Sequence, residues 1–161
     1  MTQPNEVSEH RTIGVISDTH GLLRPEAIRA LQGSDVIVHA GDIGNAEVLR
    51  KLRAISPVFA VRGNTDNGPW MKGVPASDSV QFCGFLFHIL HDIGRLDLDP
   101  RAAGIHVLIS GHSHNPAIIQ RDGILYLNPG SAGPRRYSLP ITLARITIEG
   151  EELTPEIISL E

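Results

Sequence analysis

The chain has 161 residues and a mass of 17.4 kDa, which suits one domain with a substantial hydrophobic core. Apolar residues make up 41% and charged residues 20%, so the composition is neither that of a disordered chain nor that of a membrane-embedded one. A net charge of −4, with no Lys/Arg run longer than Arg135-Arg136, argues against a stable nucleic-acid complex but leaves a nucleotide or an exposed nucleic-acid end open as substrate.

Cys83 is the one cysteine, so an intrachain disulfide and a thiolate metal cluster are excluded, and its apolar neighbours make it read as a small buried hydrophobe. No leader-like segment opens the chain and no apolar run approaches the ~20 residues that span a membrane, so the expected setting is the reducing cytoplasm, away from membranes. The expectation is a single domain over 1–161, with Met1 to His10 as a polar, flexible tail. The eight histidines stand out.

In chain order, the β-branched run within Thr12 to Ser17 predicts a first buried strand. It switches abruptly to Asp18, Thr19 and His20, with Gly21 closing the turn. Pro25 to Leu31 predicts a short helix, with proline at its start and Gly33 at its stop. Val36 to Val38 is a second strand leading into His39-Ala40-Gly41-Asp42. Asn45 suits the cap of a helix carrying Val48, Leu49, Leu52 and Ile55 on one face. Pro57 to Val61 is a third strand, ending at Arg62-Gly63-Asn64. This β-α-β-α-β order predicts parallel strands.

Thr65 to Asp78 reads as a loop, in which Trp70 and Met71 anchor the segment to the body rather than form a lid. Ser79 to Cys83 and Phe85 to Leu90 form a hairpin around Gly84, and Leu96 to Ala103 a short helix with Asp97 and Asp99 on its solvated side. Ile105 to Ser110 is a buried strand ending at Gly111-His112-Ser113-His114. A hairpin follows over Ala117 to Gln120 and Ile124 to Leu127, with a turn at Asp122-Gly123. Asn128-Pro129-Gly130-Ser131 is a turn, and Ile141 to Ile148 with Leu153 to Ile158 makes the last hairpin. A βαβ half followed by a hairpin-rich half implies an α/β fold, a four-layer α/β/β/α sandwich of two mixed sheets.

Five strand ends thus deliver Asp18, His20, Asp42, Asn64, His91, His112 and His114 to the crevice beyond a sheet, where α/β folds bind ligands. Singly, each has an ordinary structural explanation: Asp18 or Asp42 as a helix cap, His20 or Asn64 as a turn residue, His91 as a satisfied strand-end histidine. Jointly, they form an oxygen and imidazole set without thiolate, which suits Mn, Fe, Zn, Ni or Co, with Mn placed first. Seven donors exceed the need of one tetrahedral ion and match two ions sharing a carboxylate. Asp42 is the natural bridge, belonging to neither close pair, Asp18/His20 or His112/His114. Two divalent ions ~3.5–4 Å apart can hold a hydroxide, and the net positive site then suits a phosphate oxyanion.

With these motifs in view, the sequence resembles the calcineurin-like metallophosphoesterases, in particular their small YfcE-like phosphodiesterase branch. The resemblance rests on Ser17-Asp18-Thr19-His20, Gly41-Asp42, Gly63-Asn64-Thr65-Asp66, Leu90-His91, Gly111-His112-Ser113-His114 and Asn128-Pro129-Gly130-Ser131. It implies the same four-layer fold. It also implies one ion on Asp18, His20, Asp42 and His114 and a second on Asp42, Asn64, His91 and His112, with Asn64 facing the attacked phosphoryl group. The expected reaction is hydrolysis of a small phosphodiester by direct attack of a metal-bridging hydroxide, with Asn64, Asp42 and His91 as catalytic residues.

The sequence departs from that pattern at two places. Thr65 stands where relatives carry a histidine or cysteine, and it is a poor proton donor at neutral pH. Leu90-His91-Asp92-Ile93 lacks a second histidine and a glycine; Asp92 either orients His91 or stands on the rim. Arg62 and Arg136 are candidate phosphate contacts. His39 reads as supporting Asp42 rather than ligating, and His88 and His106 as packed, hydrogen-bonded residues. The rivals are a phosphomonoesterase or nucleotide phosphatase, and a non-catalytic scaffold such as the retromer subunit that resembles this family with a degraded metal site. A single structural ion would leave Asn64, His91 and His112 without a role. An exposed hydrophobic edge in the hairpin-rich half would suit a homodimer.

Overall fold

The structure, a computed structural model, describes residues 10–161. Two five-stranded mixed sheets pack face to face. The first has the order β10-β9-β1-β2-β3, from β1 (His10–Ile16), β2 (Val36–His39), β3 (Val58–Ala60), β9 (Thr142–Glu149) and β10 (Glu152–Ser159). The second has the order β4-β5-β6-β8-β7, from β4 (Ser77–Phe82), β5 (Phe85–Leu90), β6 (Val107–Ile109), β7 (Ala117–Arg121) and β8 (Ile124–Asn128). The strands β1, β2 and β3 run parallel, as do β5, β6 and β8, while hairpin partners are antiparallel. The first strand opens at His10, so of the expected tail only His10 is described, and the rest lies outside the described residues.

Alternation along the strands sorts the core into layers. Ile13, Val15 and Val38 meet Phe87, Ile89, Val107, Ile109 and Leu127 between the sheets. On the outer face of the first sheet, Ile16, Ile37 and Leu143 pack against α1 (Pro25–Leu31) and α2 (Ala46–Arg53) through Ala27, Leu31, Val48, Leu49 and Leu52. Gly14 lies under α1, where a Cβ would collide with Leu31, so glycine lets the helix approach the strand. The Asn45 side chain caps α2 by accepting from the Val48 N–H at 3.2 Å.

The outer layer of the second sheet is built differently from expectation. No α-helix forms over Leu96 to Ala103; a 3₁₀ turn, Ile93–Arg95, is followed by irregular turns. Pro100 disfavours helical backbone at Asp99, whose carboxylate instead accepts from the Arg101 N–H, and the segment closes in separate turns, Ala103 to Asp99, Gly104 to Arg101 and Ile105 to Pro100. Leu96 and Leu98 nevertheless cover Leu90, Ile105 and Leu108, so burial is achieved without helix. Asp97 and Asp99 are exposed.

Cys83 is exposed rather than buried. The register pairs Phe82 with Phe85, which leaves Cys83 and Gly84 as a two-residue turn with both φ values positive, +52° and +82°. Trp70 and Met71, on a 3₁₀ turn over Pro69–Met71, pack into the core beneath the helices and anchor their loop. His88 is buried and bonded to the Ser79 hydroxyl at 2.8 Å. His106 accepts from the Leu86 N–H at 2.8 Å but is exposed, not packed away. Among the described residues no helix is long and apolar enough to cross a membrane.

Candidate metal centre

Parallel strands bring their C-terminal ends to the same end of each sheet, and the two sheets place those ends side by side. The loops after β1, β2 and β3 supply Asp18, His20, Asp42 and Asn64; those after β5 and β6 supply His91, His112 and His114. Five of these seven residues have left-handed backbone, with φ of +56° at Asp18, +47° at His20, +55° at Asp42, +72° at His112 and +63° at His114. For residues with a Cβ this conformation costs roughly 1–2 kcal/mol each, so the fold spends stability to turn these side chains inward.

Both aspartates lie at the centre. Asp18 Oδ2 accepts from the Ser17 hydroxyl at 2.7 Å and the His112 N–H at 3.1 Å. Its Oδ1 therefore faces His114 Nε2 at 3.3 Å, His91 Nε2 at 3.8 Å and His20 Nε2 at 3.9 Å. Asp42 Oδ1 accepts from the Thr65 N–H at 3.0 Å, and its Oδ2 lies 3.2 Å from His91 Nε2 and 3.7 Å from His20 Nε2. Asn64 Oδ1 is 3.2 Å from His112 Nδ1, which in turn is 3.3 Å from His91 Nε2. Two groups of convergent ligand atoms result: Asp18, His20 and His114, and Asp18, Asp42 and His91. Asp18 is common to both, and Asp42 stands between His20 and His91.

The donor atoms fit cations. Asp18 Oδ1 and His20 Nε2 are buried without a hydrogen-bond partner, and an isolated pair of this kind is costly unless something positive lies between them. The His91 Nδ1–H donates to the Ala40 carbonyl at 2.8 Å, which fixes the tautomer and aims the Nε2 lone pair at Asp42 Oδ2. Two lone pairs in contact call for a proton or a metal ion. In the metal-free electrostatics, burial depresses the His91 imidazole, but its bond to Asp42 and the charge of Asp18 more than offset this and leave it raised. Burial likewise pushes the Asp42 carboxyl up, and the bonds from His91 and Thr65 overcome it, holding the group well below the usual carboxylate range. Burial lowers His114, Asp18 opposes that, and the positive charge of Arg136 adds to it.

A scaffold of side-chain bonds, mostly to the backbone, holds the donors. Asp66, quoted above only as part of a motif, ties two loops together. Its Oδ2 accepts from the Ile43 N–H at 3.1 Å and the Gly63 N–H at 2.9 Å, and its Oδ1 from the Gly44 N–H at 3.0 Å. Asn128 donates to the Gly111 carbonyl at 3.0 Å and the Ser113 hydroxyl at 3.1 Å, and the Ser131 hydroxyl to the Asp18 carbonyl at 3.1 Å. A Cβ on Gly63 would collide with Asp42, and one on Gly111 with Ser17 and Asp18, so glycine is required by close approach at both. The signal for Asp66 was its place three residues after Gly63, where an aspartate accepts local backbone N–H groups.

His39 is buried and does not join the donor cluster. Its Nδ1 accepts from the Gly41 N–H at 3.1 Å and its Nε2 bonds Thr19 Oγ1 at 3.0 Å. Burial, aided by the neighbouring His91, holds it down to about 3. Asp92 does not orient His91, whose Nδ1 is taken by Ala40. It caps the 3₁₀ turn through the Gly94 N–H and faces His112 Nε2 at 3.8 Å. Thr65 meets Asp42 through its backbone N–H, and its hydroxyl also helps hold the Asp42 carboxyl down. Arg62 and Arg136 are both exposed, Arg62 beside Asn64 and His112 in a cleft of about 670 Å³, Arg136 within electrostatic reach of His114.

Residues 12–151 match the calcineurin-like phosphoesterase superfamily domain. A probable metallophosphoesterase of Methanothermobacter thermautotrophicus is 35% identical over 158 residues, covering 91% of each chain. A phosphodiesterase of Methanocaldococcus jannaschii is 26% identical over 137 residues, covering 73% of this chain and 82% of its own. Among solved structures, Vacuolar Protein Sorting 29 of Cryptosporidium parvum superposes with a TM-score of 0.76 at 20% identity, over 93% of this chain and 98% of its own. The chain belongs to the calcineurin-like phosphoesterase superfamily.

Proposed function

We propose that this superfamily member is a dinuclear metal-dependent phosphodiesterase. The observation that carries the reading is the pair of central carboxylate oxygens, Asp18 Oδ1 and Asp42 Oδ2, each facing imidazole nitrogens from both sides of the site. Asp18, His20, Asp42 and His114 would hold one divalent ion, and Asp42, Asn64, His91 and His112 the other. Manganese is the first choice and Fe, Zn, Ni and Co the others, since oxygen and imidazole donors accept all of them. When bound, such ions supply Lewis acidity toward phosphoryl oxygens and an activated water as nucleophile.

The chain's own groups do the rest. The Asn64 amide, whose oxygen lies toward His112, would orient the phosphoryl group. Arg62 and Arg136 would hold its remaining oxygens. The scaffold around Asp18 and Asp42 keeps the donors fixed, so little reorganisation is needed at reaction. No side chain at Thr65 can protonate a leaving alkoxide near neutral pH, which favours esters with acidic leaving groups. A diester reading is supported by the phosphodiesterase name of the Methanocaldococcus relative and by the cleft beside His112, which offers room for a second substituent.

The test is hydrolysis of bis-p-nitrophenyl phosphate and p-nitrophenyl phosphate, with and without added Mn²⁺. The expected result is a metal-dependent rate that is higher on the diester. Turnover of the monoester alone would make the protein a phosphomonoesterase. No turnover after reconstitution with several metals would make it a binding scaffold.

A further inference from the structure

We propose that the cleft beyond His91 and His112 is a subsite for one ester arm of the substrate, and that it takes a polar, hydroxyl-bearing arm of nucleoside size. The inference rests on the phosphodiesterase reading and goes past it by naming the arm and the residues that select it. The cleft opens beside Asn64 and His112. It is lined by Arg62 after β3, Ala76 at the approach to β4, Leu90 at the end of β5, and Asp92, Arg95 and Asp97 beyond it.

Size is the first argument. A volume of about 670 Å³ is far more than a phosphoryl group at the donor cluster requires. Cavities of roughly 300–1,000 Å³ enclose whole small-molecule ligands. A compact monoester would leave most of this space filled with water, whereas a diester with one large arm would fill it.

Charge is the second. The walls carry two guanidinium groups, Arg62 and Arg95, and two carboxylates, Asp92 and Asp97. The carboxylates repel a polyanionic arm, and charged walls do not suit an acyl chain. Carboxylates accept from hydroxyl groups and guanidinium groups donate to carbonyl and ring oxygens, so a hydroxylated or heterocyclic arm satisfies both.

Availability is the third. Arg95 has only Asp92 near it, at 4.0 Å, and its side chain is 85% exposed. Arg62 makes no ion pair among the described residues, unlike Arg50, Arg135 and Arg145, which are held by Glu47, Glu161 and Glu156. Arg62, and Arg95 apart from its long approach to Asp92, therefore have guanidinium donors left to meet a ligand. Arg95 ends the 3₁₀ turn and Asp97 lies in the irregular segment that follows it, where a helix was expected, and both line the cleft.

Two esters with the same leaving group isolate the arm: thymidine 5′-(p-nitrophenyl phosphate) and methyl p-nitrophenyl phosphate. Release of p-nitrophenolate is the common reaction, so the ratio of kcat/KM reports recognition of the other arm. In the wild type the nucleoside ester is expected to be better by about tenfold or more, the worth of one or two charge-assisted hydrogen bonds. Ala76→Trp, at an exposed position, is expected to fill the cleft and bring the ratio close to one. Arg95→Ala is expected to lower it several-fold, mainly through KM. Saturation-transfer NMR reads the same site without turnover: thymidine should receive magnetisation from the wild type and not from Ala76→Trp.

A wild-type ratio near one, or a ratio and NMR signal unchanged in both variants, would overturn the subsite. Failure of the wild type to hydrolyse either ester in the presence of metal would overturn the phosphodiesterase reading, and the subsite with it.

Discussion

Asp66 gives the sharpest test of how the site is held. It is buried, its carboxylate accepts three backbone N–H groups from two loops, and it touches none of the donor atoms directed at the proposed ions. Asp66→Ala would strand the N–H groups of Ile43 and Gly63 in a dry interior and that of Gly44 at its edge. Each stranded buried donor costs about 1–3 kcal/mol, so the two in the interior alone cost about 2–6 kcal/mol. Against a typical total of roughly 5–15 kcal/mol, this is a large fraction. Asp66→Asn offers one oxygen in place of two; with that oxygen toward Ile43 and Gly63 it forfeits only Gly44, at a cost of about 1–3 kcal/mol. Urea unfolding in the presence of chelator would measure both, and metal analysis of the reconstituted variants would show whether Asp42 and Asn64 still converge. Stability of Asp66→Ala within about 1 kcal/mol of wild type would refute the reasoning, because unsatisfied buried donors cannot be that cheap.

His91→Ala should leave one ion per chain and lower turnover by orders of magnitude; anomalous scattering that finds both ions at full occupancy would contradict the assignment. Thr65→His should raise rates on alkyl diesters by roughly tenfold or more while changing aryl diesters little, the signature of an added general acid. Equal gains on both classes would sink the leaving-group argument. His39 titrates in the unfolded chain near 6.5 but only near 3 when folded. It therefore contributes stability that is complete above about pH 6.5 and lost as pH falls toward about 3, because only the unfolded state takes up the proton in between. Urea unfolding of metal-free wild type and His39→Asn should show a shallower pH dependence in the variant over that window, and identical slopes would remove His39 from the account.

The elements most legible in the sequence were those with local punctuation. Pro25 and Gly33 bound the first helix at its observed limits, and the Asn45 side chain caps the second. The donors were legible because each follows an apolar run, and parallel strands then carry them to one end of the sheets without further information. What stayed hidden depends on groups that leave no mark in the side-chain pattern. His91 is oriented by the Ala40 carbonyl, a backbone atom 51 positions away, so the sequence leaves its neighbour Asp92 open as a partner or as a rim residue. Asp66 serves N–H groups of Ile43 and Gly44, again backbone and remote. Cys83 was misplaced because hairpin register, set by pairing along the whole of β4 and β5, decides which two residues form the turn. In Leu96 to Ala103 the apolar spacing is real and the burial occurs, but Pro100 denies the backbone the helix that the spacing suggests.

Two ions sharing Asp42 define the proposed site, and the most direct measurement is metal stoichiometry by mass spectrometry on wild type and Asp42→Asn, each reconstituted with Mn²⁺ and freed of loose ions. The prediction is two ions per chain in the wild type and one or none in the variant. One ion per chain in the wild type, or two retained in Asp42→Asn, would contradict it.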